Sequence, residues 1–327
     1  MVMAGELVTR GMHMLLRQYD ERYKQHQRME APLLTVQSAS TYRPLQDVES
    51  RQLLFDVLSE SDKFGEKGVD FHHHHERAMA STIYCLNYGY RLKTGYEQAL
   101  LDGKRVQAEF ARTGQVGAYI VDSLPWLNNL PKFLAPWKKE GEELYELERK
   151  LHVGNLEKGL AHNGWNFSQF MQASNEAQDM GTEELAFDLG ILADAGLDTS
   201  TVALDWFLVS WILTGSKWAV KAQKILDEVV GRDRLPEFAD REKLSYIDAI
   251  GKSSPMFPPM KLISEQLCAD HTFSCRDPSL ETCCRQRCAS LRQDRRPIPQ
   301  LQDPRKLNRA PQCLRHHPRR GGLRRER

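Results

Sequence analysis

The sequence predicts a mainly α-helical body followed by a tail of a different character. Through residues 1–62 apolar residues recur three and four apart, with Gly and Pro scarce, and helical patterns continue to about residue 250. No run alternates apolar and polar residues as a strand would, and no segment repeats. One 33-residue stretch, Glu183 to Gly215, is helical in pattern and apolar along most of its length, which predicts a central buried helix.

The elements follow in order. Residues 1–62 read as helix, with Leu45, Val48, Leu53 and Leu54 set among Asp47, Glu49 and Arg51. Residues 71–113 continue as helix, with ends expected near Gly95 and Gly114. Residues 122–137, DSLPWLNNLPKFLAPW, carry Pro125, Pro131 and Pro136 and read as an apolar loop of short turns. A charged helix is expected from Lys138 to about Val153. Leu144, Leu147 and Leu151 share one face there, and Glu146 and Lys150 stand in the favourable i,i+4 order. On the long helix, Asp188, Asp194, Asp198 and Asp205 fall within roughly 120° of one another. A helix with Lys221, Lys224, Asp227 and Glu228 comes next, then the turn VVGRDRLPEF and a short helix beginning REKLSYIDAI.

The formal net charge of +1 hides a split. Residues 251–327 hold 17 basic and seven acidic residues, six of the seven Cys and nine of the 15 Pro, but no Trp, Tyr or Val. Only 12 of those 77 residues are Leu, Ile or Phe, a composition that reads as disorder. The chain therefore divides into a helical domain, 1–250, and a basic Cys/Pro/Arg-rich tail, 251–327. The body is long enough for a core without disulfide staples, and its one Cys fits a reducing compartment. The first residues break every apolar run with a charge or His, so neither signal peptide nor membrane anchor is expected. Phe207 to Leu213, the most apolar stretch, is too short to span a bilayer.

Two groups of metal-ligand residue types are weak signals. In the His72–His75 run only His72 and His75 share a helix face, which reads as a solvated surface rather than a metal site. In the tail, His271, Cys275, Cys283, Cys284, Cys288 and Cys313 lack the paired spacing of a zinc site. The end, HHPRRGGLRRER, suits a polyanion without specifying one.

The segment AGLDTS, Ala195 to Ser200, sets Gly, Asp and Thr in the middle of the long helix, against local propensity. That conflict predicts either a bulge or opened turn that exposes a polar group, or a place where another helix crosses closely.

AGLDTS matches the oxygen-binding motif of the cytochromes P-450, the haem-thiolate monooxygenases, and the chain resembles their fungal secondary-metabolism members. YGYRLKTG, DSLPWLNNLPKFLAPW and KAQKILDEVVGRDRLPEFADREKLSYIDAI stand in the family's order and spacing. The resemblance implies a partial cytochrome P-450-like helical fold over residues 1–250. It implies that Thr199 hydrogen-bonds bound dioxygen, that Asp198 supplies protons, and that Ala195 and Gly196 leave room beside haem. The loop at 122–137 would cover a channel for a lipophilic substrate, with electrons from an NADPH-dependent reductase. The family sits on the endoplasmic reticulum membrane. Without an anchor this chain is expected in the cytoplasm.

The departures from the family bear on activity. LSYIDAI runs into GKSSPMFPPM where an ExxR helix is due, and no cysteine has the family's Phe-x-x-Gly-x-Arg-x-Cys-x-Gly setting. Tyr23 and Gln27 occupy the Trp-x-x-x-Arg positions that face the haem propionates, and Gln cannot neutralise a propionate as an Arg fork does. The family's anchor and first sheet would precede Met1. The chain is therefore expected to be inactive as written, with residues 251–327 a shifted reading frame or retained intron. A competing reading makes the body a non-catalytic helical protein whose tail binds nucleic acid or metal.

Overall fold

The computed structural model describes residues 1–64, 69–214 and 217–253. Among them are eleven α-helices with short 3-10 turns and no strand. From residue 254 onward the expectations for the tail, its disorder and its Cys and His groups included, lie outside the described residues. No described helix is long and apolar enough to cross a membrane. The chain forms two compact units. One contains Met1–Gln46 and Ala80–Leu197, the other Asp47–Met79 and the described residues from Asp198.

In the first unit the start of the chain is not the continuous helix expected over 1–62. Val2–Val8 is a π-helical segment, held because Asp122 Oδ1 accepts from the amides of Val2 (2.5 Å) and Met3 (3.0 Å). The chain then turns at Arg10 and Gly11, both at positive φ, and makes a 3-10 turn at Met14–Leu16. Helix α1 (Glu21–Leu34) starts under the Asp20 side chain, which accepts from Tyr23 N. It ends just after Pro32, which offers no amide hydrogen. Thr35 turns the chain extended and caps α2 (Val36–Thr41) by accepting from Ser38 N at 3.1 Å. Tyr42 OH closes the corner on Leu33 O, and α3 (Arg43–Phe64) carries the chain into the second unit.

Helix α4 (Phe71–Tyr88) ends at Gly89, whose φ of 86° an L side chain rarely adopts. Gly95 belongs to the following loop, where the Glu97 carboxylate accepts from the amides of Lys93, Thr94 and Gly95. Helix α5 (Gln98–Thr113) is capped at Gly114, as its sequence predicts. The Pro-rich stretch is the expected series of turns, with α6 (Ile120–Ser123) before it and 3-10 pieces at Pro125–Asn129 and Lys132–Leu134.

Helix α7 (Pro136–Ala161) continues two turns beyond the expected end at Val153. Gly154 and Gly159 lie within it, and Gly159 has a packing reason. A Cβ there would stand 2.5 Å from Ser168 Oγ, so only Gly lets α7 approach α8 (Phe167–Gln172) and the end of α4. The core collects Met29, Leu33, Tyr42, Leu45, Tyr84, Cys85, Leu156, Phe167 and Leu189.

Helix α9 (Thr182–Thr214) matches the expected long helix within one residue at each end and serves both units. The second unit also holds α10 (Lys217–Val229), a 3-10 turn at Phe238–Lys243 and α11 (Ser245–Ser253), where Lys221 lies over the Tyr246 ring. Arg77, 2% exposed, reaches Glu49 Oε2 (2.6 Å) and Asp56 Oδ2 (3.4 Å).

Candidate functional site

The six candidate residues sit on two helices. Tyr23 and Gln27 are one turn apart on α1, Tyr23 half-buried against Tyr19 and Gln27 exposed. Ala195, Gly196, Asp198 and Thr199 are on α9. Tyr23, Gln27, Ala195 and Gly196 belong to the first unit, Asp198 and Thr199 to the second. Ala195, Asp198 and Thr199 are exposed.

The expected bulge or opened turn at AGLDTS does not form, because α9 is α-helical throughout. The close helix crossing explains the motif's glycine. A Cβ on Gly196 would lie 3.0 Å from Ile83 Cγ1, so α4 packs closely enough on α9 that a side chain at residue 196 would require Ile83 to shift by a few tenths of an ångström. One turn away Asn87 Nδ2 donates to Leu189 O (2.9 Å), and Gln107 Nε2 donates to Asp194 O (3.2 Å). The polar residues of AGLDTS are accommodated on the exposed side of a regular helix.

Below this segment α9 carries its polar residues into the core. Gly190 makes room for the imidazole of His152, which packs edge-on to Phe187 at 5.1 Å. Burial pushes that imidazole down to about 3, so it is neutral. Glu148, one turn earlier on α7, is 3% exposed with Oε2 unpartnered. Burial, then the charge of Asp194, raises its carboxyl to about 8. At the start of α9, Glu184 accepts from His26 Nε2 (2.8 Å) and from Arg22, and Asp188 meets His26 Nδ1 at 2.8 Å. Nothing in the sequence analysis singled out His26 or Glu148. The available signal was the i,i+4 spacing of Glu184 and Asp188 inside an otherwise apolar helix.

The His72–His75 run also departs from expectation. His72 and His75 do share a face, but the face is not simply solvated. Their Nδ1 atoms each lie 2.7 Å from one oxygen of Asp205, and His74 pairs with Glu60. His74 and His75 are buried. The hydrogen bond from His72 to Asp205 raises the His72 pKa. Burial acts to raise that of Asp205, but the two imidazoles outweigh it and hold the carboxyl low. The partner lies more than a hundred residues away, beyond the reach of a local pattern. Among the described residues no group of three or more His, Cys, Asp or Glu is placed to hold a metal ion.

The chain belongs to the cytochrome P450 family, whose model, Cytochrome P450, matches residues 4–252. It is 35% identical over 258 residues to the cytochrome P450 monooxygenase drtD of Aspergillus calidoustus, covering 79% of this chain and 48% of that one. It is 33% identical over 260 residues to the monooxygenase aneD of Aspergillus aculeatus, covering 79% and 49%. The chain thus spans about half the length of the curated relatives it matches. A zebra fish cytochrome P450 solved with progesterone shares the fold, with TM-score 0.57, 20% identity, and coverage of 78% of this chain and 58% of that one. The cytochrome P450DA heme domain does so with TM-score 0.56 and 15% identity, over 77% and 53%.

The family carries haem, works with a redox partner and takes lipophilic substrates. The described residues do not fit a thiolate-ligated haem. Cys85 alone among them is a cysteine, and it is fully buried in the core beside Tyr84 and Leu86.

Proposed function

We propose that this sequence carries the oxygen-side helices of a fungal secondary-metabolism monooxygenase joined to an unrelated tail, and that it is inactive as written. One observation carries the reading. The family match ends at residue 252, beside the composition break at Ile250, and no ExxR or family-type Cys loop occurs in the 75 residues that follow. Residues 1–250 are then the partial helical domain, and 251–327 a frame-shifted or mis-spliced product of a gene for an intact enzyme.

In that intact enzyme Thr199 would hydrogen-bond dioxygen, Asp198 would feed protons, and Ala195 and Gly196 would keep the space beside haem open. Tyr23 and Gln27 would face the propionates, with Gln27 leaving one uncompensated. An NADPH-dependent reductase would supply electrons for oxidation of a lipophilic metabolite, at the endoplasmic reticulum for an anchored enzyme and in the cytoplasm for a chain without an anchor. Exposed Ala195, Asp198 and Thr199 support the reading, because a haem-facing surface is open until its cofactor covers it.

The test is the reduced carbon monoxide difference spectrum of the purified chain after haem addition. No band at the thiolate position is expected, and such a band overturns the inactivity. Translating the genomic sequence past Ile250 in all three frames should recover the ExxR helix and Cys loop. Failure in every frame overturns the splice reading.

A further inference from the structure

We propose that His26 is a positioning residue: clasped as an imidazolium between Glu184 and Asp188, it locks α1 onto the start of α9 and makes that contact labile to base. The geometry leaves the ring little choice. His26 has no exposed surface, and both ring nitrogens lie 2.8 Å from carboxylate oxygens, Nε2 from Glu184 Oε1 and Nδ1 from Asp188 Oδ1. A neutral imidazole has one N–H, so its other nitrogen would turn a lone pair onto a carboxylate. The imidazolium has two donors and a charge. The Nε2 contact is a hydrogen bond, whereas the Nδ1 contact is an ion pair off the N–H axis.

Every charged group around the ring fits this assignment. From α1, Arg22 donates to both oxygens of Glu184, sharing Oε1 with His26, and donates to Asp179 O (3.0 Å) on the Glu176–Asp179 turn. From the segment before α1, Arg17 Nη2 lies 3.5 Å from Glu184 Oε1. These cations keep Glu184 ionised. Burial would raise its carboxyl, but the bonds from Arg22 and His26 hold it at about 2. On the next turn of α1, Glu30 is buried with Oε1 unpartnered. Burial, then the charge of Asp188, raises it to about 8, so it stays protonated. Burial alone would lower the pKa of His26, but the attraction of the Asp188 and Glu184 carboxylates outweighs it and raises it to about 9.

The direction of the pH dependence follows. A histidine raised from 6.5 to about 9 on folding stabilises fully below pH 6.5 and loses that contribution as pH rises through 9. Glu30 acts in the same sense, because a carboxyl raised on folding penalises the fold progressively from pH 4.5 to about 8. The clamp stands on these contacts alone. Its bearing on Tyr23, Gln27, Ala195 and Gly196, which ride on the two locked helices, rests on the family reading.

The test uses the full chain, with histidine-labelled NMR titration and thermal melts from pH 6 to 10. The His26 signal, assigned by its loss in His26→Gln, should stay protonated at pH 7.5 and titrate near pH 9. Between pH 6.5 and 9 the wild-type Tm should fall by roughly 5 °C more than that of His26→Gln. Asp188→Asn keeps the shape but removes one charge, so the His26 midpoint should move towards 6.5. A wild-type midpoint at or below 6.5, or an unchanged pH slope in His26→Gln, overturns the clamp. If His26→Gln does not fold, the wild-type and Asp188→Asn titrations still decide. None of these readouts needs haem, so a thiolate band in the carbon monoxide spectrum would sink the inactivity and leave the clamp standing.

Discussion

Gly190→Ala should destabilise the first unit, and the same substitution should stabilise it once His152 is truncated. An Ala Cβ at position 190 would lie 2.4 Å from His152 Cε1 and Nδ1 and 2.7 Å from Cγ, distances that packed carbons do not tolerate. The imidazole has little room to retreat, since it is 3% exposed and wedged against Phe187. Overpacking of this kind costs about 1–3 kcal/mol. Against it stands a gain of about 1 kcal/mol from replacing Gly inside a helix. The net for Gly190→Ala is a loss of up to about 2 kcal/mol. His152→Ala alone should lose roughly 2–3 kcal/mol through the void it leaves. In that background the three closest atoms to the new methyl are gone, and Gly190→Ala should gain about 1 kcal/mol. Urea denaturation of the wild type, both single variants and the double variant gives the cycle. Two units can melt separately, so hydrogen exchange of the α7 and α9 amides should accompany it. If Gly190→Ala destabilises the His152→Ala protein as much as the wild type, the steric account is wrong.

Two further substitutions test the buried charges. Arg77→Ala removes the guanidinium beside the carboxylate of Glu49, 1% exposed, and should cost the second unit about 3–5 kcal/mol in urea denaturation, with Arg77→Met losing less because it keeps the packing. A loss below about 1 kcal/mol for Arg77→Ala would show that Glu49 finds another partner. Glu148→Gln removes a carboxyl that folding holds at about 8 against an ordinary 4.5, so it relieves a penalty that exists only above pH 4.5. It should raise stability by roughly 4 kcal/mol at pH 8 and leave it unchanged at pH 4, and a gain of equal size at both would assign the effect to packing instead.

Local pattern was enough to place α9, α5 and the Pro-rich turns, because their ends are written in adjacent residues: Gly114 after α5, three prolines within 122–137, and acids at the head of α9. It missed the end of α7, where Gly154 and Gly159 weaken the signal while Gly159 serves a close contact with Ser168 that only the assembled fold contains. It also joined α1, α2 and α3, since the break depends on Thr35 turning extended to cap Ser38. At the candidate site the motif left open a distortion or a close helix crossing at Ala195 to Ser200, and the contact of Gly196 with Ile83 on α4 bears out the crossing. The buried ion groups were illegible because each pairs residues far apart, Arg77 with Glu49, His75 with Asp205 and His26 with Glu184.

The last of these separations has a consequence for how the chain is made. His26 leaves the ribosome 158 residues ahead of Glu184. At about 5–20 residues per second, α1 waits roughly 8–30 s for its partner. During that interval the imidazole is in water and, at a cytoplasmic pH near 7, mostly without its second proton. Docking onto α9 must then draw a proton from the medium for His26 and another for Glu30, so closure of the first unit is a proton-consuming step.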